Sequence, residues 1–254
     1  MCKLPSFEGE AYGRGELGAP PVELQVQATE PHGFRGGLFL SAVSSKEQQR
    51  SAVLSARSRL SAEVRAQAAR AIAARLDTLP LYVSSPTLAL YAAMGAEVDL
   101  APAARRAQER GQRIAWPWVV PGDRALRFSA CRLEELVPGP LGFRRPPEAA
   151  PSVELQELAC VLVPGVAFDT ACHRLGRGGG YYDATLALLP ERALRIAPAF
   201  EVQLLEQIAR ERHDLPVDLV VTEERIVARR GWPRTSETSS ETSSDQSPFP
   251  PTTH

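Results

Sequence analysis

Apolar positions between residues 46 and 110 follow a helical period twice and then change to a continuous run. The helical steps predict two successive helices, and Ser61 lies between them, where its hydroxyl group can cap the first turn of the second helix. The short apolar run Thr87–Ala92 ends near Gly95 and predicts a buried strand. The alanine-rich stretch Leu100–Arg110 predicts a further helix.

The second half of the chain alternates short apolar runs with helical patterns. The predicted strands are Gln112–Val120, Leu126–Ala130, Leu158–Val163, Leu194–Ala197 and Asp218–Thr222, and the predicted helices are Tyr181–Leu189 and a stretch near Val202–Arg212. An uninterrupted apolar run such as Leu158–Val163 is typical of a parallel strand that is buried on both faces. The pattern therefore predicts the α/β class: a layered α/β/α domain with a mostly parallel central sheet. Ligands of such sheets bind at the carboxyl ends of the strands.

Composition divides the 254-residue chain into three parts. Residues 1–45 are rich in glycine and proline without a sustained period, so we expect an irregular N-terminal extension. Residues 46–234 have the length and pattern of one α/β domain. Residues 235–254 are rich in serine, threonine and proline, and we expect a disordered tail because such a segment buries too little apolar area to offset its ordering entropy.

Charge and cysteine content narrow the class of protein. The formal net charge is −1, which argues against a nucleic-acid or anionic-membrane partner. No apolar run reaches the roughly 18 residues of a membrane span. The four cysteines lack zinc-site spacing, so we expect reduced thiols in a cytoplasmic protein. Cys172 and His173 are adjacent; a loop thiol beside an exposed imidazole is favoured over a catalytic pair, because adjacent side chains rarely point at one target.

A glycine-rich loop follows the predicted strand Leu158–Val163 and leads into the helix at Tyr181. Its glycines and arginines are Arg174, Gly176, Arg177, Gly178, Gly179 and Gly180. Glycines allow the backbone to approach a ligand closely, and loop amides can converge with a helix N-terminus on an anion. The loop matches neither a P-loop nor a dinucleotide fingerprint. The residues alone leave two interpretations open, a phosphate-binding loop or a structural turn.

Three further charged residues also have two interpretations. Asp183 lies in the first turn of the predicted helix, where it could stabilise the helix dipole or bind a hard cation such as Mg²⁺. Lys46 and Arg50 are one helical turn apart, so both could reach one phosphate group. A solvated helix face is the ordinary explanation for such a pair.

The segments Pro164–Asp169 and Arg174–Asp183 resemble the signature of the 5-formyltetrahydrofolate cyclo-ligase family, the methenyltetrahydrofolate synthetases. The similarity extends over about residues 46–225 in the expected order. It implies ATP-dependent cyclisation of 5-formyltetrahydrofolate to 5,10-methenyltetrahydrofolate, with release of ADP and phosphate. Phosphorylating the formyl oxygen would make the carbon electrophilic and the oxygen a leaving group for attack by N10. The resemblance also implies a cytoplasmic monomer that uses ATP and Mg²⁺.

The resemblance further implies roles for individual residues. ATP-binding residues are expected to be Lys46, Arg50, Arg174, Leu175, Gly176, Arg177, Gly178, Gly179, Gly180, Tyr181 and Tyr182. Folate-binding residues are expected to be Ala92, Glu97, Arg177, Gly178, Gly179, Gly180 and Tyr181. Catalytic residues would be Arg174, Arg177 and Tyr182, and Mg²⁺ ligands would be Asp183 and Asp214. A surface glutamate remains the alternative for Glu97, and packing of the helix against the sheet remains the alternative for both tyrosines.

The chain departs from the family pattern at three positions. Cys172 stands where glycine is usual, and a positive φ there would cost about 1 kcal/mol. Arg145 replaces a residue that is often acidic or an amide, and Leu100 replaces a common threonine. These departures leave two other functions open: a non-catalytic folate- or nucleotide-binding paralogue, and an ATP-using enzyme that acts on another formylated compound.

Overall fold

The computed structural model describes residues 45–211 and 214–232. The expected extension at 1–45, apart from Ser45, and the expected tail at 235–254 lie outside the described residues and stay predictions. The described part covers nearly all of the segment that the sequence assigns to one α/β domain.

Four of the five helices in the described ranges lie where the sequence predicts helices, and the short helix at Pro80–Val83 was not predicted. The helices are α1 (Lys46–Ser58), α2 (Ala62–Leu76), α3 (Pro80–Val83), α4 (Ala101–Glu109) and α5 (Tyr181–Leu188), with 3₁₀ turns at Leu133–Glu135, Pro140–Gly142, Leu155–Glu157 and Glu201–Gln203. Ser61 caps α2 as predicted, because its Oγ accepts a hydrogen bond from the Val64 amide at 3.2 Å. Ser45 and Gln48 form a capping box at the start of α1, which fixes where that helix begins.

The described strands are mostly short. They are β1 (Thr87–Ala89), β2 (Arg113–Trp118), β3 (Arg127–Ala130), β4 (Val137–Pro138), β5 (Arg144–Arg145), β6 (Ser152–Val153), β7 (Cys160–Leu162), β8 (Ala167–Asp169), β9 (Arg174–Leu175), β10 (Leu194–Pro198), β11 (Leu204–Leu205), β12 (Leu219–Val221) and β13 (Ile226–Ala228). The central sheet has eight strands in the order β13-β12-β10-β7-β1-β2-β3-β6. Its five inner strands, β12 to β2, pair in parallel, and the outer strands β13, β3 and β6 pair antiparallel. The mostly parallel sheet is confirmed.

Apolar side chains cover both faces of this sheet. On one face, Ile72 of α2 and Ala104 of α4 share a buried cluster with Leu88 of β1. On the other face, Leu186 of α5 packs in a second cluster with Val161 of β7. Burial of both faces explains why the inner strands are continuous apolar runs, and it confirms the α/β/α layering.

The predicted helix near Val202–Arg212 is wrong. The chain forms a 3₁₀ turn at Glu201–Gln203 and then β11, which pairs in parallel with β8. Two buried glutamines supply the hydrogen bonds that a helix would have made internally. The Gln203 side chain donates to the carbonyls of Gly165 and Val166, each at 3.0 Å, and Gln49 of α1 accepts from the Ala209 amide at 2.9 Å. Tertiary contacts therefore override the local helical pattern.

Candidate functional site

The glycine loop connects β9 to α5. Two of its glycines have backbone conformations that L-residues rarely adopt, Gly178 with φ of 102° and Gly180 with φ of 71°. Gly180 is the N-cap residue of α5, and no side chain among the described residues caps that helix. The loop therefore ends at a helix start whose amides have no side-chain cap, an arrangement that suits an anion, and the choice between a phosphate-binding loop and a structural turn stays a prediction.

Two clefts meet at this loop. The α1 cleft, about 1210 Å³ and open, is bordered by Lys46, Arg50, Asp123, Arg124, Leu175 and Asp214 besides the loop. The β2 cleft, about 220 Å³ and largely apolar, is bordered by Tyr91, Ala92, Glu97, Trp118, Phe143 and Pro164 besides the loop. The shared wall consists of Gly176, Gly178, Gly179, Gly180, Tyr181 and Asp183. A molecule in either cleft can therefore contact this segment.

The β2 cleft lies where parallel strands end. Tyr91 and Ala92 follow β1, Pro117 and Trp118 close β2, and Pro164 follows β7. These are the carboxyl ends of neighbouring parallel strands, where ligands bind in open α/β sheets. The expected folate residues Ala92 and Glu97 lie here, whereas Trp118 and Phe143 had not been predicted.

The side chains of Lys46 and Arg50 both make contacts with residues distant in sequence and are not simply solvated. The Lys46 Nζ donates to Asp214 Oδ2 at 2.6 Å and lies 3.4 Å from Glu211 Oε1. The Arg50 Nε donates to the carbonyl oxygen of Gly176 at 2.8 Å. Leu175, expected at the nucleotide, is itself buried and belongs to the same apolar cluster as Val53 of α1. Helix α1 is thereby fixed against the glycine loop.

Arg174 lies buried beneath the loop. Its Nη2 donates to Asp183 Oδ1 at 2.6 Å, its Nη1 donates to the Pro164 carbonyl at 3.3 Å, and its guanidinium carbon lies 5.9 Å from the centre of the Tyr182 ring. A Cβ atom on Gly176 would lie 3.0 Å from Arg174 Nη1, so a larger residue there would press on the guanidinium. Arg174 therefore fixes the orientation of the Asp183 carboxylate.

Arg177 and Glu97 join the loop to the segment after β1. The Arg177 Nε and Nη2 lie 3.0 Å and 2.9 Å from Glu97 Oε1, and the Met94 amide donates to Glu97 Oε2 at 2.8 Å. The Glu97 side chain is only 8% exposed, whereas that of Arg177 is 48% exposed. The surface-glutamate alternative is therefore wrong: Glu97 is a buried carboxylate on the wall of the β2 cleft.

The two tyrosines of α5 occupy different environments. Tyr181 is exposed and borders both clefts, whereas Tyr182 is partly buried and packs against the apolar cluster under α5. Burial is the main effect that raises the pKa of Tyr182 above its usual value, and the charge of Glu97 adds to it. Tyr182 is therefore a neutral phenol at physiological pH, suited to packing and hydrogen bonding.

The predicted Mg²⁺ ligands Asp183 and Asp214 both border the α1 cleft. Each carboxylate is paired with a cation, Asp183 with Arg174 and Asp214 with Lys46. Within the described ranges, no group of three or more His, Cys, Asp or Glu side chains could hold a metal. Two carboxylates fit Mg²⁺ provided that phosphate oxygens and water complete the shell, because this ion commonly binds in that way.

Cys172 adopts a φ of 62°, so the position does require the conformation that glycine favours. Its side chain is buried, and burial raises the pKa of its thiol to about 12. The His173 ring contacts Asp169, with Nδ1 3.0 Å from Oδ2, and Arg210, with Nε2 2.8 Å from Nη1. Because the thiol stays protonated and the imidazole is engaged with these two residues, the geometry argues against a catalytic pair. The expected exposure of the imidazole is wrong, since His173 is half-buried.

None of the described helices combines the length and the apolar character needed to cross a lipid bilayer. This agrees with the absence of a long apolar run in the sequence.

Comparison with known proteins gives consistent results. The model of the 5-formyltetrahydrofolate cyclo-ligase family matches residues 42–223. The 5-formyltetrahydrofolate cyclo-ligase of Mycolicibacterium smegmatis is 34% identical over 193 residues, which cover 73% of this chain and 98% of the relative. The Escherichia coli K12 protein of the same name is 30% identical over 164 residues, covering 61% and 87%.

Solved structures resemble the fold. The Aquifex aeolicus 5,10-methenyltetrahydrofolate synthetase superposes with a TM-score of 0.65 at 31% identity, covering 73% of this chain and 93% of the other. The Mycoplasma pneumoniae protein described by the same activity superposes with a TM-score of 0.59 at 23% identity, covering 71% and 100%, a similarity of fold alone.

Proposed function

This chain belongs to the 5-formyltetrahydrofolate cyclo-ligase family, and from that premise we propose that it converts 5-formyltetrahydrofolate and ATP to 5,10-methenyltetrahydrofolate, ADP and phosphate. The observation that supports this most directly is the wall that the α1 and β2 clefts share, which consists of Gly176, Gly178, Gly179, Gly180, Tyr181 and Asp183. A phosphate donor in one cleft and its acceptor in the other would both contact this wall, which would bring them close together.

The β2 cleft suits the folate. Its walls are apolar and aromatic, and they can bury the flat face of a pteridine. Glu97 offers a buried carboxylate, which can accept two parallel hydrogen bonds from the donor edge of the ring. Tyr181, which is exposed at the loop, can cover the ring on the side that faces the nucleotide.

The α1 cleft suits ATP. The loop amides and the uncapped start of α5 favour a phosphate group, and Lys46 adds a cation within the same cleft. Arg50 uses its Nε to hold the Gly176 carbonyl, so it supports the loop while its remaining donors can face the phosphates. Asp183 and Asp214 would hold Mg²⁺, which supplies neutralising charge to the phosphate oxygens when it is bound.

The chemistry needs a phosphoryl group to be moved onto an amide oxygen. The formyl group of the substrate is an amide, so its carbon is a weak electrophile and its oxygen a poor leaving group. Transfer of the terminal phosphoryl group of ATP to that oxygen corrects both, N10 then attacks the carbon, and phosphate departs as the ring closes. The protein positions the reactants and stabilises the transferred charge, as is usual in phosphoryl transfer.

Catalytic roles for Arg174, Arg177 and Tyr182 stay predictions. The three side chains lie in different environments, which suit them to different roles. The side chain of Arg177 is far more exposed than that of Arg174 and borders the β2 cleft beside the shared wall, so Arg177 is suited to neutralise the transferring phosphoryl group. Arg174 is buried against Asp183, which suits positioning of the metal ligand. Tyr182 packs beside Arg174 and can hold the Arg174 side chain in place under the loop.

The decisive experiment mixes the purified protein with MgATP and 5-formyltetrahydrofolate. The expected result is a rise in near-ultraviolet absorbance from the methenyl product, with one ADP and one phosphate released per product. Ligand binding by calorimetry without ADP release would favour a non-catalytic paralogue. Faster turnover of another formylated compound would favour a related enzyme, and either result would overturn the proposal.

A further inference from the structure

The loop between β2 and β3, residues 119–126, borders the α1 cleft and has no role in the proposed reaction as described so far. Two of its charged residues, Asp123 and Arg124, contribute to the lining of that cleft. The other charged lining residues belong to α1, to the start of α5 or to the segment around Asp214. The β2–β3 loop therefore offers the cleft a wall that none of the expected nucleotide-binding residues supplies.

Two hydrogen bonds hold this loop in one conformation. The Asp123 amide donates to the Val120 carbonyl at 3.1 Å and closes a tight turn, in which the glycine has a φ of 91°. The Leu126 amide donates to Thr185 Oγ1 of α5 at 2.9 Å, in a buried position. Arg124 lies between these two anchors, so its backbone is held beside α5.

The charge of Arg124 is not neutralised by the protein. The residue is exposed, and within the described ranges, 45–211 and 214–232, its guanidinium forms no hydrogen bond, ion pair or ring contact. The carboxylate next to it in the chain, that of Asp123, is paired with Arg127 at 3.0 Å. Arginine keeps its charge at physiological pH, so the loop presents an unpaired cation to the cleft.

The other cations that line the α1 cleft are already engaged. The Lys46 Nζ lies 2.6 Å from Asp214 Oδ2 and 3.4 Å from Glu211 Oε1. The Arg50 Nε is bound to the Gly176 carbonyl. The cleft is lined by three cationic side chains, Lys46, Arg50 and Arg124, and by five carboxylates, Glu47, Asp123, Asp183, Glu211 and Asp214. A triphosphate is strongly anionic, so in a cleft with more acidic than basic side chains it gains most from a cation that is still unpaired.

We propose that Arg124 is a further nucleotide-binding residue, whose guanidinium pairs with the phosphate oxygens of ATP in the α1 cleft. This inference rests on the proposed function, which places ATP there. Thr185, which anchors the loop, lies one turn after Tyr181, so the loop is attached close to the uncapped start of α5, where a phosphate is favoured. A planar guanidinium can bind two phosphate oxygens at once, and the exposed side chain can turn to them without breaking another contact.

Isothermal titration calorimetry without folate tests the pairing directly, with MgATP and inorganic tripolyphosphate as separate ligands. The variants are Arg124→Met, which removes the charge, and Arg124→Lys, which keeps it. The matched control is Arg70→Met, because Arg70 is an exposed arginine of α2 that borders neither cleft. Arg124→Met should weaken the binding of both ligands about 10-fold, as expected for one lost charge-assisted hydrogen bond, whereas Arg70→Met should bind both as the wild type does.

Tripolyphosphate separates a phosphate contact from a contact with the rest of the nucleotide. Equal weakening of both ligands by Arg124→Met, with partial recovery in Arg124→Lys and a smaller difference at high salt, would support the pairing. A loss confined to ATP would place Arg124 against the base or the ribose, and wild-type affinity of Arg124→Met would show that Arg124 is an ordinary solvated cation. Either of these two results would overturn the proposal.

Kinetics distinguish a failure of this inference from a failure of the proposed function. In the complete reaction, Arg124→Met should raise the KM for ATP and leave the KM for 5-formyltetrahydrofolate unchanged at saturating ATP, with an unchanged melting temperature. An equal rise in both KM values would indicate a distorted loop and overturn the pairing. If the wild-type protein binds both ligands but shows no cyclisation, the proposed function fails, and calorimetry still decides the role of Arg124. If it binds neither ligand, both proposals fail.

Discussion

The Arg50 side chain of α1 donates a hydrogen bond of 2.8 Å to the carbonyl oxygen of Gly176, a residue 126 positions later in the chain. This contact attaches the first described helix to the glycine loop, on the side of the α1 cleft. It explains how a helix with a solvated appearance in sequence comes to support a binding loop. The position of the loop therefore depends on a residue outside it.

Arg50→Met should loosen the loop and weaken nucleotide use. A hydrogen bond from a charged donor contributes about 1.5–3 kcal/mol, so kcat/KM for ATP should fall roughly 10- to 150-fold. Arg59→Met, at the exposed end of the same helix, is the control and should leave kcat/KM within about 2-fold of wild type, as surface substitutions usually do. Wild-type kinetics for Arg50→Met would show that the contact is dispensable.

Asp183→Asn should strongly lower turnover and raise the Mg²⁺ concentration needed for half-maximal rate. The amide keeps the shape of the side chain and can still accept from Arg174, but it loses the charge that favours a divalent ion. The matched control is Asp123→Asn, which borders the same cleft and pairs with Arg127 instead. Circular dichroism verifies folding, and an unchanged Mg²⁺ dependence for Asp183→Asn would contradict its metal role.

Gly178→Ala should destabilise the loop although its side chain has space. An added Cβ meets nothing within 4 Å, but the φ of 102° is strained for any L-residue, at a cost of about 1–2 kcal/mol. Gly179→Ala is the comparison, because its φ lies outside that region and its Cβ meets only the Tyr181 ring at 3.3 Å. Denaturant unfolding and the KM for ATP should both show the larger effect for Gly178→Ala. The opposite order would mean that loop sterics, rather than backbone conformation, control this segment.

Cys172 gives a test of strain and of thiol chemistry. Cys172→Gly should be more stable than Cys172→Ala by about 1 kcal/mol, although it is smaller, because the φ of 62° suits glycine. A pKa of about 12 leaves almost no thiolate at neutral pH, so iodoacetamide should label Cys172 only after unfolding or at strongly alkaline pH. Rapid labelling of this cysteine in the folded protein at neutral pH would contradict the assignment.

The pattern of apolar and polar residues was sufficient to predict secondary structure where the local preference of a segment agrees with its burial in the fold. The sequence pattern predicted three features correctly: the Ser61 cap, the buried strand β7 and the mostly parallel sheet. The segment after Phe200 was not predicted correctly, because Gln203 and Gln49 replace its helical hydrogen bonds with tertiary ones that no local pattern encodes.

The candidate site shows the same division. The Arg174–Asp183 block could be located by its glycines and by family resemblance, and the structure places those residues on one loop between two clefts. The burial of Arg57, which is 3% exposed, could not be predicted, because an arginine on an amphipathic helix is ordinarily solvated.

A single wall that belongs to two clefts has a thermodynamic consequence. A ligand in one cleft that stiffens or shifts the shared glycines changes the affinity of the other cleft for a second ligand. By reciprocity, the factor by which nucleotide changes folate affinity must equal the factor by which folate changes nucleotide affinity. In the proposed function, the two substrates are thus energetically coupled through the six residues of the shared wall before any bond between them is made.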